Sequence, residues 1–398
     1  MKAEALYRAP NALAAHYSRF RVAERLLLTG HSHQAWPDRG FQGQMQAWLD
    51  AAEHLDEKWE HAFRRAERVR RGFARLLEDS EGEFALAAST HELVVRFLSA
   101  LPLRSRPRLV TTDGEFHTIR RQLDRLGEEG VEVVRVPSVP AGEVAERLVK
   151  ALDDRTAAVL VSAVFYRNAH IVPGLGSVLR ACRRRGAELL VDVYHALGVV
   201  PFSLLEEELT GAFVVGGGYK YCQLGEGNCF LRFPRECELR PVITGWFSEV
   251  EALAAAPKGH EVSYGAGPAR FAGSTYDPTS HYRAAEVFDF FEEMDLRPAL
   301  LREVSRHQIG LLAASFDALD ADPRVLARDR SVPLEQLGGF LVLRSPRAPE
   351  LCAGLKLRGV STDARGDALR LGPAPYLTDA QLGEAVAALA EVLRSLEG

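Results

Sequence analysis

Gly216-Gly217-Gly218-Tyr219-Lys220-Tyr221 follows the apolar run Ala212-Phe213-Val214-Val215, and the reading of this junction decides the fold. The apolar run predicts a short buried strand. The glycines let the backbone turn and come close to a ligand, because no Cβ stands in the way. Lys220 is thereby presented from a strand end, between two tyrosines and ahead of a second glycine loop, Gly225-Glu226-Gly227. Upstream, Leu189-Leu190-Val191 predicts another buried strand, which ends on Asp192 with His195 three residues on.

A lysine and an aspartate at neighbouring strand ends suit pyridoxal phosphate. That cofactor needs an amine to hold its aldehyde carbon. It also needs a carboxylate to keep its ring nitrogen protonated, so that the ring accepts electrons. The two residue types also fit duller roles, since a strand-end aspartate often closes a turn and a lysine after glycine is often only solvated.

Outward from this pair, strand and helix signals alternate. Glu83 to Ala87, Leu109 to Thr112, Val131 to Val136 and Ala157 to Ala163 read as strands, with amphipathic helices over Leu93 to Leu101, Glu143 to Leu152 and Gly176 to Arg185. This order predicts a mainly parallel α/β sheet covered by helices on both faces, with ligands bound beyond the carboxyl ends of the strands. Residues 1 to about 28 read as a helical arm. The span from about 41 to 78 reads as helical, with Trp48, Leu55, Trp59 and Phe63 forming an apolar stripe assigned to the core. The helix from His281 leads into a second, smaller α/β unit with a strand at Phe340 to Leu343 and a final helix to Leu396. The expected organisation is an arm and small-domain segment over 1–40, a large domain over 41–280 and a small domain over 281–398.

Composition narrows the class. A net charge of −5 gives no reason to expect a nucleic-acid partner. No stretch approaches the length of a membrane span, and the start of the chain lacks the apolar core of a signal peptide. The five cysteines are scattered and without metal-type spacing, which favours reduced thiols in the cytoplasm over a disulfide framework or a metal site.

The strings VDVYHALGVVPFSL (191–204) and GAFVVGGGYKYCQLGEGNCFLRFP (211–234) closely resemble the aspartate and lysine segments of kynureninases. These belong to the class V aminotransferase branch of fold-type I pyridoxal-phosphate enzymes. The resemblance runs in order from about residue 28 to 380. It implies the fold-type I fold, with a seven-stranded sheet, and pyridoxal phosphate as cofactor. It also implies a small-molecule amino-acid substrate and a homodimer with shared sites. Lys220 then holds the cofactor and shuttles a proton, Asp192 faces the ring nitrogen, and Tyr219 reaches the phosphate and moves protons at the substrate γ-carbon. His195 supports Asp192 or packs on the ring.

Ser89-Thr90-His91-Glu92 opens a helix, and a helix N-terminus favours an anion. A capping role is the alternative, and the resemblance implies that Ser89 and Thr90 grip the cofactor phosphate. It makes Phe116 or His117 the ring-stacking residue. Asn168 reaches the ring hydroxyl or simply forms a turn, and Trp246 lines the site of an aromatic substrate. Thr275 reaches the partner subunit's cofactor phosphate. Arg370 matches the family's α-carboxylate ligand, to which its planar fork is suited, although a structural ion pair is the alternative for a strand arginine. His31, Ser32 and His33 occupy the place of the family's Asn-Ser segment near the site mouth. They bind a substrate carboxylate or carbonyl, or satisfy loop backbone.

Departures from the family occur at His31 and His33, at Tyr276 where the family has proline, and in the Glu115-Phe116-His117 string, which is more like the desulfurase and epimerase relatives. The leading expectation is hydrolytic Cβ–Cγ cleavage of L-kynurenine or 3-hydroxykynurenine to alanine and an anthranilate. A C–S lyase, desulfurase-like enzyme or aminotransferase is the alternative. Neither Cys222 nor Cys352 fits the nucleophile that a desulfurase needs. A non-catalytic regulator is disfavoured by the presence of both Lys220 and Arg370.

Overall fold

The computed structural model describes residues 1–250 and 262–397. At its centre is a seven-stranded sheet. Its strands are β1 (Glu83–Ala87), β2 (Arg108–Thr112), β3 (Glu132–Val136), β4 (Thr156–Ser162), β5 (Glu188–Asp192), β6 (Phe213–Gly217) and β7 (Cys229–Phe233). They lie side by side in the order β1-β7-β6-β5-β4-β2-β3. Pairing is parallel from β3 across to β6, and only β7 runs against its neighbours. The expected mainly parallel α/β sheet is therefore present.

Both faces of the sheet are covered, which is why its strands read as continuous apolar runs rather than as alternation. Successive side chains point to opposite faces. Val110, Val159, Val191 and Val214 enter one core with Phe73, Leu148 and Leu179. Their chain neighbours Leu109, Ala158, Leu190 and Val215 enter a second core with Phe97 and Leu123. These partners come from helices on the two sides, α2 (Lys58–Leu76), α3 (Thr90–Ala100), α4 (His117–Glu128), α5 (Val144–Ala151) and α6 (Leu175–Arg184), while α1 (Asp38–His54) lies outside both cores. A further helix, α7 (Thr279–Glu293), packs on α1 and α2. One charged side chain sits in the middle of this packing. Arg232 of β7 is buried with its Nε 2.5 Å from Asp79 Oδ2, and its Nη1 donates to the carbonyls of Thr210 and Ala212.

The C-terminal part carries helices α8 (Pro298–Asp317), α9 (Ala348–Leu357) and α10 (Asp379–Glu397). Its antiparallel sheet comprises β8 (Ala327–Arg328), β9 (Leu341–Arg344), β10 (Asp363–Arg365) and β11 (Ala368–Leu371), in the order β10-β11-β9-β8. The N-terminal segment joins it: Leu26–Leu27 pairs in parallel with Val360–Ser361, and Gly30 N–H donates to the Gly372 carbonyl at 2.7 Å.

Two expectations are corrected. The first residues form a one-turn helix, Glu4–Tyr7, and then short 3-10 turns over Ala14–Phe20 and Val22–Glu24, not a continuous helical arm. Pro10 lacks the N–H that a continuing helix needs, yet Leu6, Leu13 and Tyr17 are buried as their spacing required. The stripe assigned to the core is largely outside it: Trp48 is 77% exposed, and Leu55 and Phe63 are exposed too. The helical span is broken at Leu55, and α1 meets α7 through its small residues, with Gly40 and Gly43 against Arg283 and Tyr282. The large apolar residues thus face away from the sheet. Among the described residues no helix is long and apolar enough to cross a membrane, and no cluster of three or more His, Cys, Asp or Glu is placed to hold a metal.

Candidate active site

The carboxyl ends of β1, β2, β4, β5 and β6, with the loop running into β7, surround a cavity of about 280 Å³. Its wall includes Ser89, Thr90, Phe116, Ser162, Asp192, His195, Tyr219 and Lys220. The turn after β6 is tight. A Cβ on Gly217 would lie 2.5 Å from both Cys229 Sγ and Tyr194 Oη, and one on Gly218 would lie 2.3 Å from Leu224 Cδ1. Only glycine lets this backbone sit so close, and that packing fixes where Lys220 emerges.

Lys220 is 6% exposed. Its Nζ donates to Tyr219 Oη at 3.4 Å and lies 4.9 Å from the ring centre of Tyr194 and 5.7 Å from that of Phe116. Burial lowers its pKa to about 8, with Asp192 opposing that shift. Asp192 accepts the Tyr194 N–H at 2.8 Å, and burial raises its pKa to about 6 against the pull of that N–H and of Lys220. Both groups are thus held closer to neutrality than in water, because each is stripped of solvent and incompletely paired. Beside Asp192 in register lies Ser162. Its hydroxyl donates at 2.6 Å to Glu115, a carboxyl that burial raises to about 7 and that also accepts from Thr112 Oγ1 at 2.6 Å.

On the opposite wall the cavity meets the start of α3. Ser89 caps this helix, its Oγ accepting the Glu92 N–H at 3.3 Å. Ala88 to His91 line the cavity, so the positive end of the helix dipole faces it. The donor set fits pyridoxal phosphate: an incompletely paired amine, a buried carboxylate, an aromatic ring and an anion-favouring helix end converge on one space.

Other expected residues are distributed unevenly. Of the stacking pair, Phe116 lines the cavity, while His117 begins α4 as an exposed residue away from its wall. His195 is buried against the cavity, with no partner for Nδ1. Asn168 uses its Oδ1 to accept the His170 N–H at 3.1 Å, forming a turn outside the cavity wall. Trp246 donates to Thr275 Oγ1 at 3.2 Å, and Thr275 lines a separate surface hollow with Arg96 and Phe247. His33 stacks on Tyr219 with ring centres 4.9 Å apart, and Ser32 Oγ is 3.0 Å from His33 Nδ1. His31 is fully buried against Asp363, and Arg370 pairs with the same carboxylate. Sequence reasoning missed Ser162, Tyr194, Glu226 and Cys229 in the wall. Ser162 was accessible to the rule that parallel strands end on ligands. Tyr194 and Cys229 enter through packing behind the turn, for which no local pattern exists.

The fold is that of the fold-type I pyridoxal-phosphate enzymes. A mutant of the cystine C–S lyase C-DES, with glycine covalently linked to its PLP cofactor, matches at a TM-score of 0.81 and 15% identity, covering 95% of this chain and 98% of its own. In sequence the chain is similar to kynureninases. That of Deinococcus radiodurans is 28% identical over 350 residues, 83% of this chain and 79% of its own length. One from Bacillus cereus is 23% identical over 394 residues, 94% of this chain and 86% of its own. No family model matches the chain. The resemblance first drawn from the segments around Asp192 and Lys220 therefore extends over most of the molecule.

Proposed function

We propose that the chain is a pyridoxal-phosphate enzyme that hydrolyses the Cβ–Cγ bond of L-kynurenine or 3-hydroxykynurenine, and that it works as a homodimer in the cytoplasm. The observation that carries this reading is the meeting of Lys220, Asp192 and the α3 N-terminus around one cavity, in a chain similar to kynureninases. In the net reaction the oxygen of water ends on the anthranilate carboxyl, and a proton ends on the methyl group of alanine.

When bound, pyridoxal phosphate supplies an electron-accepting ring that lowers the barrier to breaking bonds around the amino acid's α-carbon. Lys220 would hold it through its amine, which in the cofactor-free chain has a pKa near 8 and would also carry a proton to and from Cα. Asp192 would keep the ring nitrogen protonated, and that nitrogen would add a counter-charge to the one Lys220 already supplies to the buried carboxylate. Phe116 would pack on the ring, His195 would support Asp192 or pack on the ring, and Ser89 and Thr90 would hold the phosphate at the helix end. Tyr219, next to Lys220, moves the proton at the substrate γ-carbon. Arg370 binds the α-carboxylate, and Ser32 and His33, the latter stacked on Tyr219, meet the substrate. Trp246 and Thr275, apart from Lys220 on their own chain, complete the site of a second copy. The exposed apolar face of α1 supports such a pairing.

A second reading, C–S bond cleavage, is favoured by the Glu115-Phe116-His117 string. A desulfurase with a cysteine nucleophile is disfavoured. The cysteine in the cavity wall, Cys229, is buried, which raises its thiol to about 12. The deciding experiment adds L-kynurenine to cofactor-loaded protein and follows anthranilate fluorescence, with Lys220→Ala as control. Product that disappears in the variant supports the reading. A protein that shows the visible band of bound cofactor but releases no anthranilate refutes the kynureninase assignment and directs the search to C–S lyase substrates.

A further inference from the structure

Arg370 is 4% exposed, and much of its guanidinium is already engaged. Its Nε donates to Asp363 Oδ1 at 2.8 Å, its Nη2 donates to Asp363 Oδ2, and its Nη1 donates to the Tyr166 carbonyl at 2.8 Å. Asp363 and Arg370 stand directly opposite each other in the antiparallel β10–β11 pair, so the register of the small sheet sets this contact. A guanidinium has about five N–H groups in one plane. Asp363 takes the edge formed by Nε and Nη2, and one N–H on each of Nη1 and Nη2 is left over. Two such N–H groups remain to meet a carboxylate. Arg370 itself is outside the cavity wall, but Tyr166, whose carbonyl it holds, lines the cavity, and the charge of Arg370 favours loss of the Lys220 ammonium proton.

Behind Asp363 stands His31. Its Nε2 lies 2.9 Å from Asp363 Oδ1, and its ring centre is 4.7 Å from that of Phe340. A Cβ on Gly372 would fall 2.2 Å from His31 Nδ1, so the ring is wedged against the chain two residues beyond Arg370. Leu28 and Gly30 hydrogen-bond that same Gly372. Burial leaves His31 neutral at ordinary pH, with a pKa near 4. It therefore acts toward Asp363 as an N–H donor without charge. Arg365, with Nε 3.7 Å from Asp363 Oδ2, approaches from solvent.

We infer that Asp363, held by His31, is a positioning residue that aims the free edge of Arg370 at the substrate α-carboxylate and so makes the site select amino acids over the corresponding amines. This rests on the amino-acid reading given under Proposed function, and it moves His31 one step back from the substrate. Without Asp363 the fork is free to rotate, and a buried cation has lost its counter-charge.

The test titrates cofactor-loaded protein with L-kynurenine and, separately, with its decarboxylated amine, following the visible absorption of the bound cofactor. Steady-state rates with L-kynurenine are measured alongside. Asp363→Asn is expected to weaken L-kynurenine binding on the order of tenfold while leaving the amine unchanged, as for loss of one aligned charge-assisted contact. KM should rise more than kcat falls. His31→Phe, which keeps the packing on Phe340, should show the same selectivity at smaller size and decides the matter if the first variant fails to fold. Equal weakening of both compounds, no change, or tighter binding of L-kynurenine overturns the inference. A wild-type protein whose absorption responds to neither compound overturns the amino-acid reading itself, a result distinct from non-selective variants of a responsive enzyme.

Discussion

Replacing Asp192 with asparagine is expected to make the cofactor-free protein more stable and the cofactor-loaded protein less so. The carboxyl titrates at 3.8 in an unfolded chain and at about 6 in the fold, chiefly because it is buried. Its folded pKa lies above its unfolded one, so its ionised form opposes folding. That penalty is fully present above about pH 6 and fades as pH falls toward 3.8. At about 1.4 kcal/mol for each unit of pKa, it amounts to roughly 3 kcal/mol at neutral pH. Asparagine keeps the shape and can still accept the Tyr194 N–H, but it carries no charge. The attraction of Lys220 is already contained in that figure, because it acts on the folded pKa, so the expected gain stays at about 3 kcal/mol. Urea unfolding of the cofactor-free proteins at about pH 8 and again at about pH 5 measures this, with the difference shrinking at the lower pH. Saturating cofactor should reverse the order, since only the aspartate pairs with the protonated ring nitrogen. A less stable asparagine variant at the higher pH, or a gap that does not change with pH, would refute the argument.

Two further outcomes are expected. Asp79→Ala strands the guanidinium of Arg232, which is 1% exposed, without its carboxylate. Urea denaturation should show a loss of about 3–5 kcal/mol, and a loss below about 1 kcal/mol would mean that the backbone carbonyls alone satisfy the cation. Trp48→Glu puts a charge on the α1 face that also exposes Phe41, Met45 and Leu49. Sedimentation should then report single chains in place of the proposed homodimer; an unchanged mass would remove that face from the contact.

The sheet and the lysine turn were legible because their causes are local. Buried parallel strands must be apolar throughout, and the glycines before Lys220 answer to close packing at a strand end. The same logic located Asp192 and the capped start of α3. What stayed hidden depends on partners distant in sequence. Trp48 and Leu55 obey helical spacing, but periodicity does not say which face meets the sheet; Gly40 and Gly43 settle that by letting α7 approach. Asn168 was open between a ligand role and a turn, and its own loop takes its oxygen. Arg370 was open in the same way between a substrate carboxylate and an ion pair. Its engagement by Asp363 follows from a strand register that no pattern within either strand reveals.

The contact between His31 and Asp363 joins residues 332 positions apart in the chain. During synthesis the sheet with Asp192 and Lys220 can assemble while the second of these partners is still unmade. The N-terminal segment around Leu26 must wait, unpaired, for Val360 and Ser361 to emerge. Closing so long a loop is slow compared with forming neighbouring strands and helices. The geometry around Arg370 is therefore completed last, so a nascent or truncated chain would hold the cofactor end of its site before it had the means to tell one substrate from another.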